Sequence, residues 1–212
     1  MPNKFMRLGL LASLLSLMLA APLLAETLYI DSRNGNDANA GTKEQPVKTL
    51  ARAAELVNTN TAAGPTIIKL APGLYDLTAK VLLQNMRAYS REQRLIIEAT
   101  IMPDDSAWRP ALMPVIISTE QPAKLDSANV RGPATFGLQI EISHVTIRGL
   151  KFFGSSAAHN RYYPIRRNGQ TLEDLVVSQC MFVGDRHTSP IQVAVIAPGH
   201  GLVLEHCVFY EC

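Results

Sequence analysis

Three segments near the end of the sequence repeat one pattern: HVTIRGLKFFG at 144–154, DLVVSQCMFVG at 174–184 and GLVLEHCVFYE at 201–211. Written one under another, they form three apolar columns. The columns are Ile147, Val177 and Leu204; Leu150, Cys180 and Cys207; and Phe152, Phe182 and Phe209. Each segment is too short and too rich in Val, Ile and Phe for a helical pair. The repeat therefore predicts an all-β solenoid, a parallel β-helix whose columns stack about 4.8 Å apart.

The N-terminal segment 1–25 has the composition of a secretory signal peptide. Lys4 and Arg7 flank the start of an apolar run over 8–21, and the small residue Ala25 stands at the predicted cut. The run has the length of a signal rather than of a membrane anchor, and no second apolar span follows it. We expect the mature protein, 26–212, to be periplasmic or extracellular, without a stable membrane span. It should form one β-helix domain, with a cap over 26–64 and coils over 65–212.

The charge of the mature chain argues against a nucleic-acid partner. The full sequence has 20 Lys and Arg against 18 Asp and Glu, a formal net charge of +2. Removing the signal removes Lys4 and Arg7 and no acidic residue, so the mature chain is close to neutral. Nucleic-acid-binding domains are usually strongly basic.

An amphipathic helix is predicted over 46–58, with Thr49 as its N-cap. The predicted apolar stripe consists of Leu50, Ala53, Ala54 and Val57. A solenoid has to cover the open apolar end of its first coil, and this helix lies just before the first full strand.

The run YIDSRNGNDANAGTKEQPVKTLARAAELV, followed by TIIKLAPGLYDL, resembles the N-terminal cap of secreted right-handed parallel β-helix proteins. The matching positions are Gly41, Thr42, Pro46, Thr49, Leu50, Pro72, Gly73 and Tyr75. The continuation resembles the early coils of pectin-lyase-like proteins, the group that contains pectate lyases, alginate lyases and chondroitinase B. The resemblance implies a right-handed β-helix that acts on polysaccharides. Lyases of this group perform β-elimination on a uronic acid, with calcium or arginine to neutralise the carboxylate and lysine or arginine as the base.

Between the cap and the repeated segments, strands are predicted around Ile68, at Leu95–Ala99 and at 115–117. The step from Ile68 to Ile97 is close to that of the later repeats, whereas the step from Ile97 to Ile117 is much shorter. That short step allows two interpretations: the two strands lie on two faces of one coil, or they belong to successive positions of a compact coil. The segment 120–137 is predicted to leave the coil, because it contains prolines and glycines.

Two groups of residues bear on metals and disulfides. The loop after Ile30 contains four residues with oxygen ligands that could bind calcium, so a calcium site here is one alternative. Their spacing differs from that of an EF-hand. These donors are Asp31, Asn34, Asn36 and Asp37. Cys180 and Cys207 share an inward column, which favours buried free thiols over a disulfide between coils.

The outward columns of the repeat offer one candidate group for chemistry. Arg148, Ser178 and Glu205 share a column, and Lys151 follows on its own coil. The simplest interpretation is a surface ion pair between Arg148 and Glu205. The alternative takes Lys151 or Arg148 as a base and Glu205 as a calcium ligand. No catalytic residue is assigned.

A loop is predicted over 155–170, and it holds our candidate substrate-binding residues. Aromatic faces stack on sugar rings, and arginine pairs with carboxylates, so the loop predicts binding of an acidic polysaccharide. The residues are His159, Arg161, Tyr162, Tyr163, Arg166 and Arg167.

Two functional hypotheses follow for an exported carbohydrate-active β-helix. In the first, the chain represents the early coils of a polysaccharide lyase, and its catalytic coils lie beyond Cys212, because the last predicted rung has no cap. In the second, it is a non-catalytic carbohydrate-binding or surface-adhesion protein.

Overall fold

The computed structural model describes residues 25–84, 88–121, 134–155 and 162–212. The signal-peptide prediction for 1–25 falls almost wholly outside this range, as do His159 and Arg161. The described chain forms three parallel sheets whose strands follow one another around a common core, which confirms the prediction of a parallel β-helix.

Each full coil contributes one strand to each sheet. The first sheet has the order β1-β2-β5-β8-β11-β14, the second β3-β6-β9-β12-β15, and the third β4-β7-β10-β13. The strands are β1 Glu26–Ile30, β2 Thr66–Leu70, β3 Leu74–Leu77, β4 Val81–Leu83, β5 Leu95–Ala99, β6 Val115–Ser118, β7 Thr135–Ile140, β8 Val145–Arg148, β9 Lys151–Phe153, β10 Tyr162–Arg167, β11 Glu173–Ser178, β12 Met181–Val183, β13 Val195–Ile196, β14 His200–Glu205 and β15 Val208–Tyr210.

The predicted apolar columns are present in register. In the first sheet, Val177 pairs with Ile147 on one side and with Leu204 on the other. In the second sheet, the ring of Phe182 stacks on Phe152 at 5.2 Å and 8° and on Phe209 at 5.1 Å and 6°. Alternating residues of each strand therefore form ladders along the core, the arrangement that the sequence repeat indicated.

The capping helix, α1, spans Leu50–Thr59. The Thr49 side chain accepts a hydrogen bond from the backbone N–H of Arg52, as predicted for an N-cap. The helix starts four residues later than the predicted position 46. Its buried face comprises Leu50, Ala53, Ala54 and Val57. It packs mainly against β4 and to a smaller extent against β1 and β3, so it lies at the first coil's end of the core.

The corner between the first and second sheets needs a left-handed backbone in each repeated coil. Gly149, Gln179 and His206 occupy this position, with φ of 71°, 52° and 52°. At Gly149 a Cβ atom would also lie 2.8 Å from the sulfur of Met102, so both the backbone angle and the space favour glycine.

The path of the second coil settles the short step in the sequence. Ile97 lies in the first sheet and Ile117 in the second, so the step joins two faces of one coil. Ile116 faces the core, whereas Ile117 is only half-buried.

Two predicted excursions have different bounds in the structure. The excursion predicted over 120–137 ends by Thr135, where β7 begins; residues 122–133 lie outside the described range. The predicted loop over 155–170 is wrong at Tyr162–Arg167, which is a strand of the third sheet, whereas residues 168–170 lie outside any strand. Pairing with β7 holds this segment in the coil.

Candidate functional site

The outer face of the third sheet carries a cluster of aromatic and polar side chains. Parallel pairing of β7 with β10 places Phe136 beside Tyr163 and Gln139 beside Arg166. The Phe136 and Tyr163 rings stack with centroids 5.5 Å apart and planes 16° from parallel. Both side chains are half-buried, so the pair forms a two-ring platform that is fixed by strand register and reaches solvent.

Arg166 lies over this platform. Its guanidinium carbon is 4.4 Å from the centroid of the Phe136 ring, a cation–π distance. Its Nη2 donates a hydrogen bond of 2.9 Å to Oδ1 of Asn168. The planar guanidinium is thus held against an aromatic face, with N–H groups left over for a ligand. An arginine held in this way is suited to a carboxylate.

A polar edge borders the aromatic pair. Asn168 Nδ2 and Gln139 Nε2 donate hydrogen bonds of 2.8 Å and 2.6 Å to Oε1 of Glu141. These two bonds lower the pKa of the Glu141 carboxyl below its ordinary value, so it is ionised at neutral pH. Lys80 and Arg166 are close enough to interact with this charge. A second carboxylate, that of Glu120, accepts the backbone N–H of Phe136 at 3.3 Å, so the cluster and its surroundings hold two cations and two anions.

We call this cluster the β7–β10 face. It consists of Phe136, Gln139, Glu141, Tyr163, Arg166 and Asn168.

The structure divides the sequence-predicted binding residues into three groups. Tyr163 and Arg166 belong to the β7–β10 face. Tyr162 and Arg167 face the interior and are 0% and 1% exposed, which removes them from any surface site. His159 and Arg161 lie outside the described residues, so their predicted role stays a prediction.

The two interior residues have structural roles. Arg167 donates hydrogen bonds to the backbone oxygens of Pro198 at 2.8 Å, His200 at 2.8 Å and Ala197 at 3.1 Å, which fixes the turn between β13 and β14. Burial lowers the pKa of Arg167 from its ordinary value. Tyr162 fills the core, and burial raises the pKa of its hydroxyl.

Sequence reasoning missed Phe136, Gln139, Glu141 and Asn168. A signal was present, because the interval from Phe136 to Tyr163 equals the interval from Cys180 to Cys207 in the repeated segments. The interval from Gln139 to Arg166 is the same. The excursion predicted before β7 conceals this regularity, since it places Phe136 outside the coil.

The charged column of the first sheet differs from the prediction. Arg148 and Glu205 do share a column with Ser178, but Arg148 bonds to Glu98 of the preceding coil, with its Nε 2.8 Å from Oε2. Lys69 Nζ lies 3.3 Å from the other oxygen of Glu98, whose side chain is only 6% exposed. The predicted Arg148–Glu205 pair is therefore wrong. Since Arg148 is engaged by a buried carboxylate, it is also poorly placed to act as a base.

The loop after Ile30 uses its carboxylates internally. Asp31 accepts hydrogen bonds from the backbone of Arg33 and Asn34. Asp37 accepts them from the backbone of Lys48 and Thr49. Across the described ranges, no group of three or more His, Cys, Asp or Glu side chains is arranged to hold a metal ion.

The three cysteines Cys180, Cys207 and Cys212 are free thiols. Cys180 is buried, as predicted, whereas Cys207 is only partly buried, so the prediction of buried thiols holds for the first of the two.

None of the helices in the described part of the chain is both long enough and apolar enough to cross a membrane.

Comparison with known proteins supports the fold. A family model described as a protein of unknown function (DUF1565) matches residues 33–81, which cover most of the cap and the first coil up to the start of β4. The structure is similar to the native crystal structure of a GH136 lacto-N-biosidase from Eubacterium ramulus, with a TM-score of 0.55 and 18% identity over 88% of this chain. The selenomethionine derivative of that enzyme gives 0.52 and 19%. A rhamnogalacturonan lyase matches 86% of this chain with a TM-score of 0.48 and 14% identity.

The chain spans about a third of the lacto-N-biosidase chain, 31% of its length, and 51% of the lyase chain. No curated protein matches the sequence. At these identities the likeness concerns the fold alone.

Proposed function

We propose that the protein is an exported, periplasmic or extracellular β-helix that binds an acidic polysaccharide on its β7–β10 face. The observation that carries the proposal is the Phe136–Tyr163 pair with Arg166 held across it. Stacked rings offer an apolar surface to the faces of sugar rings, and the guanidinium offers a fork to a uronate carboxylate.

Affinity electrophoresis in native gels that contain pectate, alginate or chondroitin tests this proposal. The wild type should be retarded by at least one of the three, and Tyr163→Ala should weaken the retardation about threefold to tenfold, as expected for one aromatic contact. Arg166→Ala should weaken it by about tenfold or more, and Arg166→Lys should not restore it fully, because lysine cannot form the fork. Raised salt should weaken binding.

Two matched controls separate binding from general surface effects. Phe153→Ala removes an aromatic ring that is 38% exposed on the second sheet, and Arg109→Ala removes an exposed arginine next to the turn Pro110–Leu112. Neither change should alter retardation. If all three polysaccharides fail to retard the wild type, or if the controls lose as much affinity as Tyr163→Ala, the proposal is refuted.

The lyase activity implied by the family resemblance is tested with the same preparations. β-Elimination would raise the ultraviolet absorbance through the unsaturated product, with or without calcium. A rise in absorbance that depends on the protein would show that the protein catalyses β-elimination and does not only bind the polysaccharide. Any rise should be independent of Arg148, because that side chain is bonded to Glu98, and Lys151→Ala tests the other candidate base.

A further inference from the structure

The corner that leads into the first sheet holds a stacked row of left-handed residues. His144, Asp174 and Gly201 occupy this position in successive coils, with φ of 59°, 59° and 63°. A residue with a Cβ atom is strained in this conformation. His144 and Asp174 therefore need compensating interactions, and the corner supplies them.

A chain of hydrogen bonds fixes the imidazole ring. His144 Nδ1 lies 2.9 Å from Oδ2 of Asp174, and the same oxygen accepts a 2.6 Å hydrogen bond from Nη1 of Arg94. Arg94 Nη2 also donates to the backbone oxygens of Val145 and Asp174, at 3.0 Å each. Because Arg94 donates to Asp174, the pKa of that carboxyl is lowered, and the aspartate is an anion at neutral pH. An anionic acceptor favours the proton of a neutral imidazole at Nδ1.

This ring borders a cleft of about 310 Å³. Nδ1 is used by Asp174, so Nε2 is the nitrogen left for a ligand, and it has no hydrogen-bond partner among the described residues. With the proton on Nδ1, Nε2 is an acceptor. The cleft is lined by Ala88, Tyr89, Ile142, Ser143, His144 and Glu173.

The lining selects a chemical class of ligand. The exposed carboxylate of Glu173 and Nε2 of His144 both accept hydrogen bonds, which suits a pair of hydroxyl groups. The Ser143 hydroxyl oxygen accepts the backbone N–H of Glu173 at 3.0 Å, so its own proton can be donated to a ligand. The charge of Glu173 would repel a uronate. The volume of the cleft lies at the small end of the range for small-molecule pockets, the scale of one neutral sugar residue.

The cleft adjoins the β7–β10 face along the chain. Glu141, at the polar edge of that face, is followed within three residues by His144, and Asn168 precedes Glu173 by five. The cleft and the polar edge of that face are therefore separated by only the short corner segments of their two coils.

We propose that this cleft is a subsite for a neutral sugar residue, in which His144 Nε2 accepts a hydrogen bond from a ring hydroxyl. Asp174 and Arg94 are positioning residues that set the tautomer and hold the ring. That the ligand is a saccharide rests on the proposed function. The inference adds that this saccharide contains a neutral sugar residue next to the uronate.

Long-range ¹H–¹⁵N NMR of the histidine side chains tests the first part, with His144→Gln to assign the signals. The wild type should show the Nδ1–H tautomer at His144 near neutral pH, and Asp174→Asn should shift the ring toward a mixture of tautomers. A purely Nε2–H ring in the wild type would overturn the proposal. His187 in its exposed turn serves as the internal comparison.

Titration with the methyl glycosides of galactose, rhamnose and N-acetylglucosamine tests the second part. At least one should shift the His144 signals saturably. With affinity read from the backbone amide signal of Glu173, which all variants keep, His144→Gln should weaken that glycoside about fivefold, as for one neutral hydrogen bond, while His187→Gln leaves it unchanged. If none of the glycosides moves the His144 signals, the subsite is refuted. The retardation by pectate and its loss in Tyr163→Ala are measured independently of this titration. Failure of the subsite and failure of the proposed function can therefore be told apart.

Discussion

The phenylalanine ladder of the second sheet gives the sharpest prediction about stability. Phe182 is 0% exposed and is stacked between Phe152 and Phe209 at 5.2 Å and 5.1 Å. Phe182→Ala removes a fully buried ring and both stacking contacts, for which about 3–5 kcal/mol of unfolding free energy is expected. Phe182→Leu removes roughly one buried methylene in volume and should cost about 1 kcal/mol.

The matched control is Phe153→Ala. Phe153 lies on a neighbouring strand of the same sheet but is 38% exposed, so its loss should cost about 1 kcal/mol or less. Urea unfolding followed by far-ultraviolet circular dichroism measures all three variants.

A second probe locates the damage. The single tryptophan, Trp108, lies between β5 and β6, two coils before Phe182. Because neighbouring coils of a solenoid stabilise one another locally, Phe182→Ala should lower the midpoint seen by circular dichroism more than the midpoint seen by Trp108 fluorescence. If Phe182→Ala and Phe182→Leu are no less stable than Phe153→Ala, the stacked-core account is refuted.

Three further predictions concern the corners and the thiols. Gly149→Ala should destabilise the protein by about 1–2 kcal/mol through its left-handed backbone, and an unchanged urea midpoint would contradict the assigned corner geometry. Asp174→Asn should cost about 1–3 kcal/mol at pH 7 by weakening the charged hydrogen bond from Arg94. Since the pKa of Asp174 is lowered in the folded state, that stability is present above its ordinary value and is lost as the pH falls below about 4, so the gap between variant and wild type should close there. A gap that widens in acid would refute it. The neighbouring Cys180 thiol lowers the pKa of Cys207 to about 7, whereas burial raises the pKa of Cys180. Iodoacetamide at pH 7 should therefore label Cys207 much faster than Cys180 by peptide mass spectrometry; equal labelling would contradict this pairing.

The fold is predictable from the sequence because the core positions of a solenoid recur as a repeat in the sequence. Each coil buries the same few positions, so Ile147, Val177 and Leu204 align when the three segments are written one under another. The cap is predictable for a similar reason, since an amphipathic stripe and an N-cap at Thr49 are local signals. Neither inference requires knowledge of which residues meet across long distances.

The β7–β10 face is predictable only in part. Tyr163 and Arg166 stand among the predicted residues because aromatic and basic residues cluster there, but Tyr162 and Arg167 satisfy the same criterion and face the core. Residue type cannot distinguish the two sides of a strand; register does that. The register of β10 is set by its pairing with β7. The start of β7 cannot be located from the sequence, because the second coil is longer than the regular repeat.

The prediction for Arg148 fails for a related physical reason. Its partner Glu98 lies 50 residues earlier, because the coil between them is longer than the regular repeat. The spacing from Arg148 through Ser178 to Glu205 is more regular. Arg148 and Glu205 are nevertheless two rungs apart, whereas Arg148 and Glu98 are on adjacent rungs. In a solenoid with one long coil, contacts follow the stacking of coils and not the regularity of the sequence.

The central claim, that Phe136, Tyr163 and Arg166 form a glycan-binding face, is tested most directly by NMR of protein with isotopically labelled tyrosine rings. The chain has six tyrosines, so each ring can be assigned by substitution. Titration with galacturonate oligomers, and then with alginate and chondroitin oligomers, should shift the Tyr163 ring signals saturably and leave those of Tyr29 and Tyr210 in place. Shifts confined to other tyrosines, or none with any acidic glycan, would contradict the account.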